Sequence, residues 1–187
     1  MSTLTGISKE NGKGSGGILV CYGALLSDIT GSTTASNGEA VFHASAGAFK
    51  KFVLGKEAGS NFVSTATGNV ANGTNEYDQV LTMIFKRNQV SKRNELKVLA
   101  EQETVWVIND NCQANPTGSC IQGNTYVIGL PVCINSGGVE LRTGVMSTGA
   151  QLADANNMTI TLGVKETMPP LGCSEATYTA IVAGTAF

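Results

Sequence analysis

Few residues in this chain are of a type that does chemistry. His43 is the only histidine, so imidazole acid–base catalysis would rest on it alone. Neither a Ser-Gly elbow nor a paired carboxylate lies beside it in sequence, and it reads as a partly buried strand residue. Five cysteines (Cys21, Cys112, Cys120, Cys133, Cys173) form no CxxC pair, and the spacing of Cys112 and Cys120 does not match zinc-finger geometry. They read as small buried hydrophobes, although Cys112 and Cys120 flank one loop and could pair in an oxidising medium. Gly12 to Gly17 (GKGSGG) lacks the spacing and the strand-before-helix context of a phosphate loop. Asp110 sits between two asparagines, but the repeated acidic positions of a calcium loop are missing, and turn formation explains these residues. No catalytic residue, cofactor or metal is expected, and the chain does not read as an enzyme.

One group of charges does cluster. Lys86, Arg87, Lys92, Arg93 and Lys97 lie on or just before a short helical stretch that also carries Glu101, with Glu103 after it. Two readings stay open: a solvated helix face, or a subunit interface on which these bases meet Glu101, Glu103 or Glu140 of a neighbour. The helix itself is expected over 91–102, with Ser91 as N-cap and Leu96, Leu99 and Ala100 on the inward face. So short a helix is marginal alone and needs a sheet beneath it.

The sheet is signalled on both sides of this helix. In YDQVLTMIFKR, Tyr77, Gln79, Leu81, Met83 and Phe85 alternate with Val80, Thr82, Ile84 and Lys86, which is the period of a strand. After the helix, Val105 and Val107 alternate with Trp106 and Ile108. TYVIGLPV, beyond the polar loop NDNCQANPTGSCIQGN, is expected to return as its hairpin partner, with Pro131 confining it to an edge or ending its pairing. Ile18–Leu26 reads as a buried strand, Ala40–His43 as a strand returning from an Asn37-Gly38 turn, and Gly47–Val53 as strand or loop. VELRTG and MTITLGVKE read as further strands, and Tyr178–Val182 as a last one. Residues 1–17 read as a flexible arm and about 55–74 as a long loop, either a hairpin reaching over a neighbour or a disordered stretch.

The chain has 187 residues, enough for one domain over 18–187. Charged residues make up 14%, against roughly 25% in an average soluble domain, and the deficit is filled by Gly, Ser, Thr, Asn and Ala. A net charge of −2 with no long basic run argues against direct affinity for nucleic acid. No apolar run is long enough to span a membrane, and the polar N-terminus lacks a signal-peptide core, so cytoplasmic synthesis is expected. The fold class expected is mainly β: an antiparallel β-sandwich or barrel with one short flanking α-helix and long loops.

Residues 90–170 also carry a resemblance. LKVLAEQETVWVINDN, then NTYVIGLPVCINSGGVELRTGVMSTGAQLADANNMTITLGVKETMPP, resembles virion proteins of tailed phages of Bacteroidetes-type hosts. The matching positions include Leu96, Leu99, Val105 to Asn111, Tyr126 to Gly129, Val139 to Leu141, Thr148-Gly149, Asp154, Ile160 to Leu162, Glu166 and Pro169. CQANPTGSCIQG stands where that family has a tight Asn-Gly turn. Such proteins are similar to major tail tube subunits. The resemblance implies stacked, hexameric homo-oligomeric rings, with DNA as passing cargo, other phage tail or head proteins as partners, and a place in the virion tail after assembly in the host cytoplasm. Low charge and abundant Thr, Ser and Asn suit a wall along which DNA slides. A capsid decoration or auxiliary head protein, and a β-sandwich binding module, are the alternatives.

Overall fold

The computed structural model describes residues 17–34, 38–54, 59–69, 73–86, 90–110, 125–130, 137–148 and 156–186. Among these are eleven strands and two α-helices. The strands form a seven-stranded sheet and a four-stranded sheet packed as a β-sandwich.

The larger sheet runs in the order β2 (Ile29–Thr34), β3 (Glu39–Ala44), β11 (Leu171–Cys173), β8 (Thr125–Ile128), β7 (Thr104–Asp110), β1 (Ile18–Leu25), β4 (Lys50–Val53). All its neighbours are antiparallel except β11 and β3. The smaller sheet is fully antiparallel, in the order β5 (Asn61–Asn69), β6 (Thr74–Lys86), β10 (Asn157–Glu166), β9 (Glu140–Ser147). Helix α1 (Val90–Glu101) follows β6, and α2 (Glu175–Ala183) follows β11.

Because side chains alternate along a strand, the central strands of the larger sheet serve two cores. Cys21, Trp106, Ile108 and Ile128 face the smaller sheet and meet Leu81, Met83, Ile160 and Leu162. On the opposite face, Tyr22, Val105, Val107 and Val127 pack with Phe42 and Phe49, because the sheet curls over them, and with Ile181 of α2. The separation of Val105 and Val107 from Trp106 and Ile108 is therefore the expected one. So is the β7–β8 hairpin, which sets Trp106 opposite Ile128 and Ile108 opposite Tyr126. β8 ends at Ile128 and lies inside the sheet, so it is not an edge strand.

Trp106 is completely buried, and its ring lies across Gly23, its direct cross-strand partner. A Cβ on Gly23 would fall 2.9 Å from the indole. The indole Nε1 donates to Thr104 Oγ1 at 2.8 Å, so burial leaves no orphaned donor. Phe52 of β4 closes over the indole, with ring centroids 4.8 Å apart.

Several expectations are corrected. The stretch read as a loop at about 55–74 contains the nine-residue strand β5, paired to β6 from Asn61↔Thr82 to Asn69↔Thr74. Its small polar residues gave no apolar alternation because most of β5 is solvent-exposed. Tyr178–Val182 is helical, not a strand. Ser174 caps α2 by accepting from the Thr177 amide at 3.2 Å, and Gly184, at φ 68°, ends it, with the Thr185 amide reaching back to the Ala180 carbonyl. Thus two helices flank the sheets, where one was expected. α1 starts at Val90, which puts Ser91 inside it, and of its expected inward residues Leu99 is buried, Leu96 half-buried and Ala100 exposed. His43 is exposed on β3, not partly buried. The arm residues 1–16, with Arg87, Pro131, Cys112, Cys120 and Cys133, lie outside the described residues.

Gly23→Ala should cost about 1–3 kcal/mol by overpacking against the indole. Chemical denaturation should show a lowered midpoint at unchanged slope, with tryptophan emission shifted in the folded state.

Candidate assembly surface

The described residues among the charges singled out in the sequence are spread along α1 and its two flanks. Lys86 ends β6, and its carbonyl accepts a hydrogen bond from Lys92 Nζ. That ammonium also lies 5.9 Å from the Phe85 ring centroid, within cation–π range. Arg93 is exposed. Lys97 and Glu101 pair along the helix at 3.8 Å with side chains 74% and 58% exposed, so this bridge contributes little. Glu103 lies past the far end of α1, exposed, while its carbonyl accepts from the Leu26 amide at 3.0 Å. α1 is held to β9 by Leu96, whose side chain rests on Gly144, where a Cβ would meet it at 2.8 Å.

A second set of charges, not anticipated, lies on the outer face of the four-stranded sheet. Arg142 of β9 makes a two-pronged contact with Asp78 of β6, one arm at 3.1 Å, although β10 runs between the two strands. Two features permit this. The β9–β10 register shifts at Arg142, where Thr161 and Leu162 oppose Thr143 and Leu141, and such a bulge re-aims a side chain. Gly163 then provides bare backbone for the guanidinium to cross, since a Cβ there would overlap it. The hydrogen bond from Arg142 holds the Asp78 carboxyl below its ordinary range. Beside it, Lys165 Nζ donates to Glu76 at 2.8 Å, which raises the lysine's pKa. The other outward positions are a row of threonines, Thr82, Thr161 and Thr143, aligned across three strands, and the apolar Val63, Val80, Ile84 and Val145. The face is therefore mixed, polar and apolar, with Glu140 and Lys86 also outward on it, and its Arg142 and Lys165 are each paired with a carboxylate.

Both long edges of this sheet, β5 and β9, lack a strand partner among the described residues. Val63 on β5 is 47% exposed and Val145 on β9 58%. The β5–β6 hairpin also outruns its support. β10 covers β6 only from Tyr77 to Lys86, whereas the pairs Thr67↔Glu76, Gly68↔Asn75 and Asn69↔Thr74 continue beyond it. Two strands alone are marginal in water, so this overhang suits a contact with another molecule.

A partly buried polar joint ties the two sheets together. Glu166, the last residue of β10, accepts from the Gly129 amide at the end of β8 and from Gln79 Nε2, each at 3.1 Å. Gln79 is fully buried, and its amide also donates to the Met168 carbonyl at 3.1 Å. Burial raises the Glu166 pKa, and the two donated hydrogen bonds only partly oppose this.

Among the described residues, no group of three or more His, Cys, Asp or Glu could hold a metal ion, and no helix is long and apolar enough to cross a membrane. Cys21 and Cys173 are free and buried, as read from the sequence; burial pushes the Cys173 thiol up to about 12. No family model, no curated protein and no solved structure matches this chain.

Because the folded-state pKa of Glu166 is raised, its contribution to stability is greatest below that pKa and is lost as pH rises through it. Urea midpoints should therefore fall in the wild type as pH rises above the ordinary glutamate range, relative to Glu166→Gln, which lacks the ionisation. Asp78 works in the opposite sense at lower pH, since its depressed pKa makes its contribution vanish on acidification. Gly163→Ala should displace Arg142 and cost about 1–3 kcal/mol. The Asp78-dependent loss of stability on acidification should then shrink.

Proposed function

We propose that this chain is a structural virion protein that assembles with copies of itself into stacked rings, forming a phage tail tube through which DNA passes. The observation that carries the reading is the smaller sheet: an outer face on which Arg142 and Lys165 are each paired with a carboxylate, set between two long uncovered strand edges. A wall past which DNA must slide cannot present uncompensated Lys or Arg, because each phosphate contact adds affinity through counterion release. Here Arg142 and Lys165 are each neutralised by a carboxylate of the same subunit.

The edges support the same reading. Long uncovered strands are an aggregation hazard in a monomer, and repeated head-to-tail contacts turn that hazard into a joint. The overhanging β5–β6 hairpin gives each subunit an element that extends past its own sheet. The resemblance over residues 90–170 supplies the tail, the hexameric ring and the assembly in the host cytoplasm.

Negative-stain microscopy of concentrated protein is expected to show hollow tubes of uniform diameter. A monodisperse monomer or trimer at high concentration would overturn the proposal. Val63→Lys, on the exposed side of β5, should abolish the tubes while leaving the unfolding midpoint within about 0.5 kcal/mol of wild type.

A further inference from the structure

The two sheets part on the side of β4, and α1 does not close the gap. The resulting cleft, about 490 Å³, lies within the size range of ligand sites. β4 lines it along one side, with the side chains of Lys50 and Phe52 on the cleft face and those of Lys51 and Val53 on the opposite face of the strand. Ser91, Lys92 and Glu95 of α1 line the other side. Its floor is apolar: Phe52, Phe85, Met158 and Ile160, with the two phenylalanine rings 6.3 Å apart. β4 is the outermost strand of its sheet, bonded only to β1 among the described residues.

The residues of β4 form two consecutive pairs, Lys50-Lys51 and Phe52-Val53. Neither lysine is in an ion pair among the described residues, and Lys50 Nζ donates only to the Gly47 carbonyl, at 2.7 Å. Val53 is 65% exposed, a large fraction for a valine. Lys50 on the cleft face, Lys51 on the other face of the edge strand and Lys92 across the cleft outnumber Glu95, the one carboxylate lining it, so the edge is cationic in a chain whose net charge is −2.

We propose that this cleft docks an extended segment of a different protein, which adds as a strand to the free edge of β4 with two acidic residues opposite Lys50 and Lys51 and two apolar ones opposite Phe52 and Val53. Residues facing each other across a ladder interact directly, so the order of charges along β4 dictates the order in its partner. The edge amides and carbonyls supply affinity, and the side-chain pairs supply specificity. A second copy of this chain does not fit, because nowhere in its sequence do two carboxylates follow one another. A nucleic acid would satisfy the lysines but neither the apolar half nor the strand edge. The proposal is independent of tube formation.

Two labelled eight-residue peptides test it by fluorescence anisotropy. One carries isoleucine-valine followed by two glutamates at its centre, the other the reverse order, to serve both strand orientations. At least one should bind, and binding should weaken at least tenfold in Lys50→Glu/Lys51→Glu, an exposed double variant whose unfolding midpoint should stay unchanged. Amide exchange at Lys50–Val53 should slow in the complex. The proposal fails if neither peptide binds, if lysine-for-glutamate peptides bind equally well, or if the double variant binds like the wild type. It also fails if the β4 amides become protected on concentrating the protein alone, or if a single-stranded oligonucleotide displaces the peptide, since those results assign the cleft to a second copy or to nucleic acid.

Discussion

The fold depends on the stacking of Trp106 over Gly23. One is the largest side chain in the molecule and the other has none, and they face each other across the adjacent strands β7 and β1 of the larger sheet. Any side chain at Gly23 would lift the indole, and with it Phe52 above and the sheet packed against both. Because β7 and β1 also bury their opposite faces, under the curl of the sheet and α2, neither strand can yield in the other direction. Tight packing on both faces makes this strand pair the least adjustable part of the structure.

The same device recurs at the periphery. Gly144 lets Leu96 seat α1 on β9, and Gly163 lets Arg142 cross β10 to reach Asp78. Glycine in a strand normally weakens it. Here each one accepts a large side chain from a neighbouring element, so the local cost is offset by a contact between elements. The pairing of Arg142 on the outer face of the smaller sheet depends on this arrangement: without Gly163, Arg142 would stand unpaired on the surface proposed to face DNA.

Two surfaces with different chemistry result. The smaller sheet presents a face of threonines, valines and paired charges with uncovered edges, suited to repeated contact with identical copies. The β4 cleft is cationic and apolar in a fixed order, suited to a partner whose sequence differs from this one. The proposed virion role calls for both kinds of contact, since a self-assembling lattice must also be joined to something else.

Where a signal is local, the sequence by itself determined the structure. The strand period of Leu81, Met83 and Phe85, that of Ile160, Leu162 and Val164, and the opposed sides of Trp106 and Val107 all follow from side chains pointing alternately to two faces. The mainly β class and the helix between β6 and β7 were legible for the same reason. β5 was not, because a solvent-exposed edge strand has no apolar face to alternate. α2 was not, because TYTAIV favours a strand by propensity, while the caps at Ser174 and Gly184 and the packing of Ile181 select a helix. Only the tertiary structure decided the surfaces. Arg142 meets Asp78 from 64 residues away, and Lys50 joins Lys92 on one cleft only because β4 and α1 stand on either side of the gap between the sheets. Such pairings are set by register and sheet order, which no local pattern encodes.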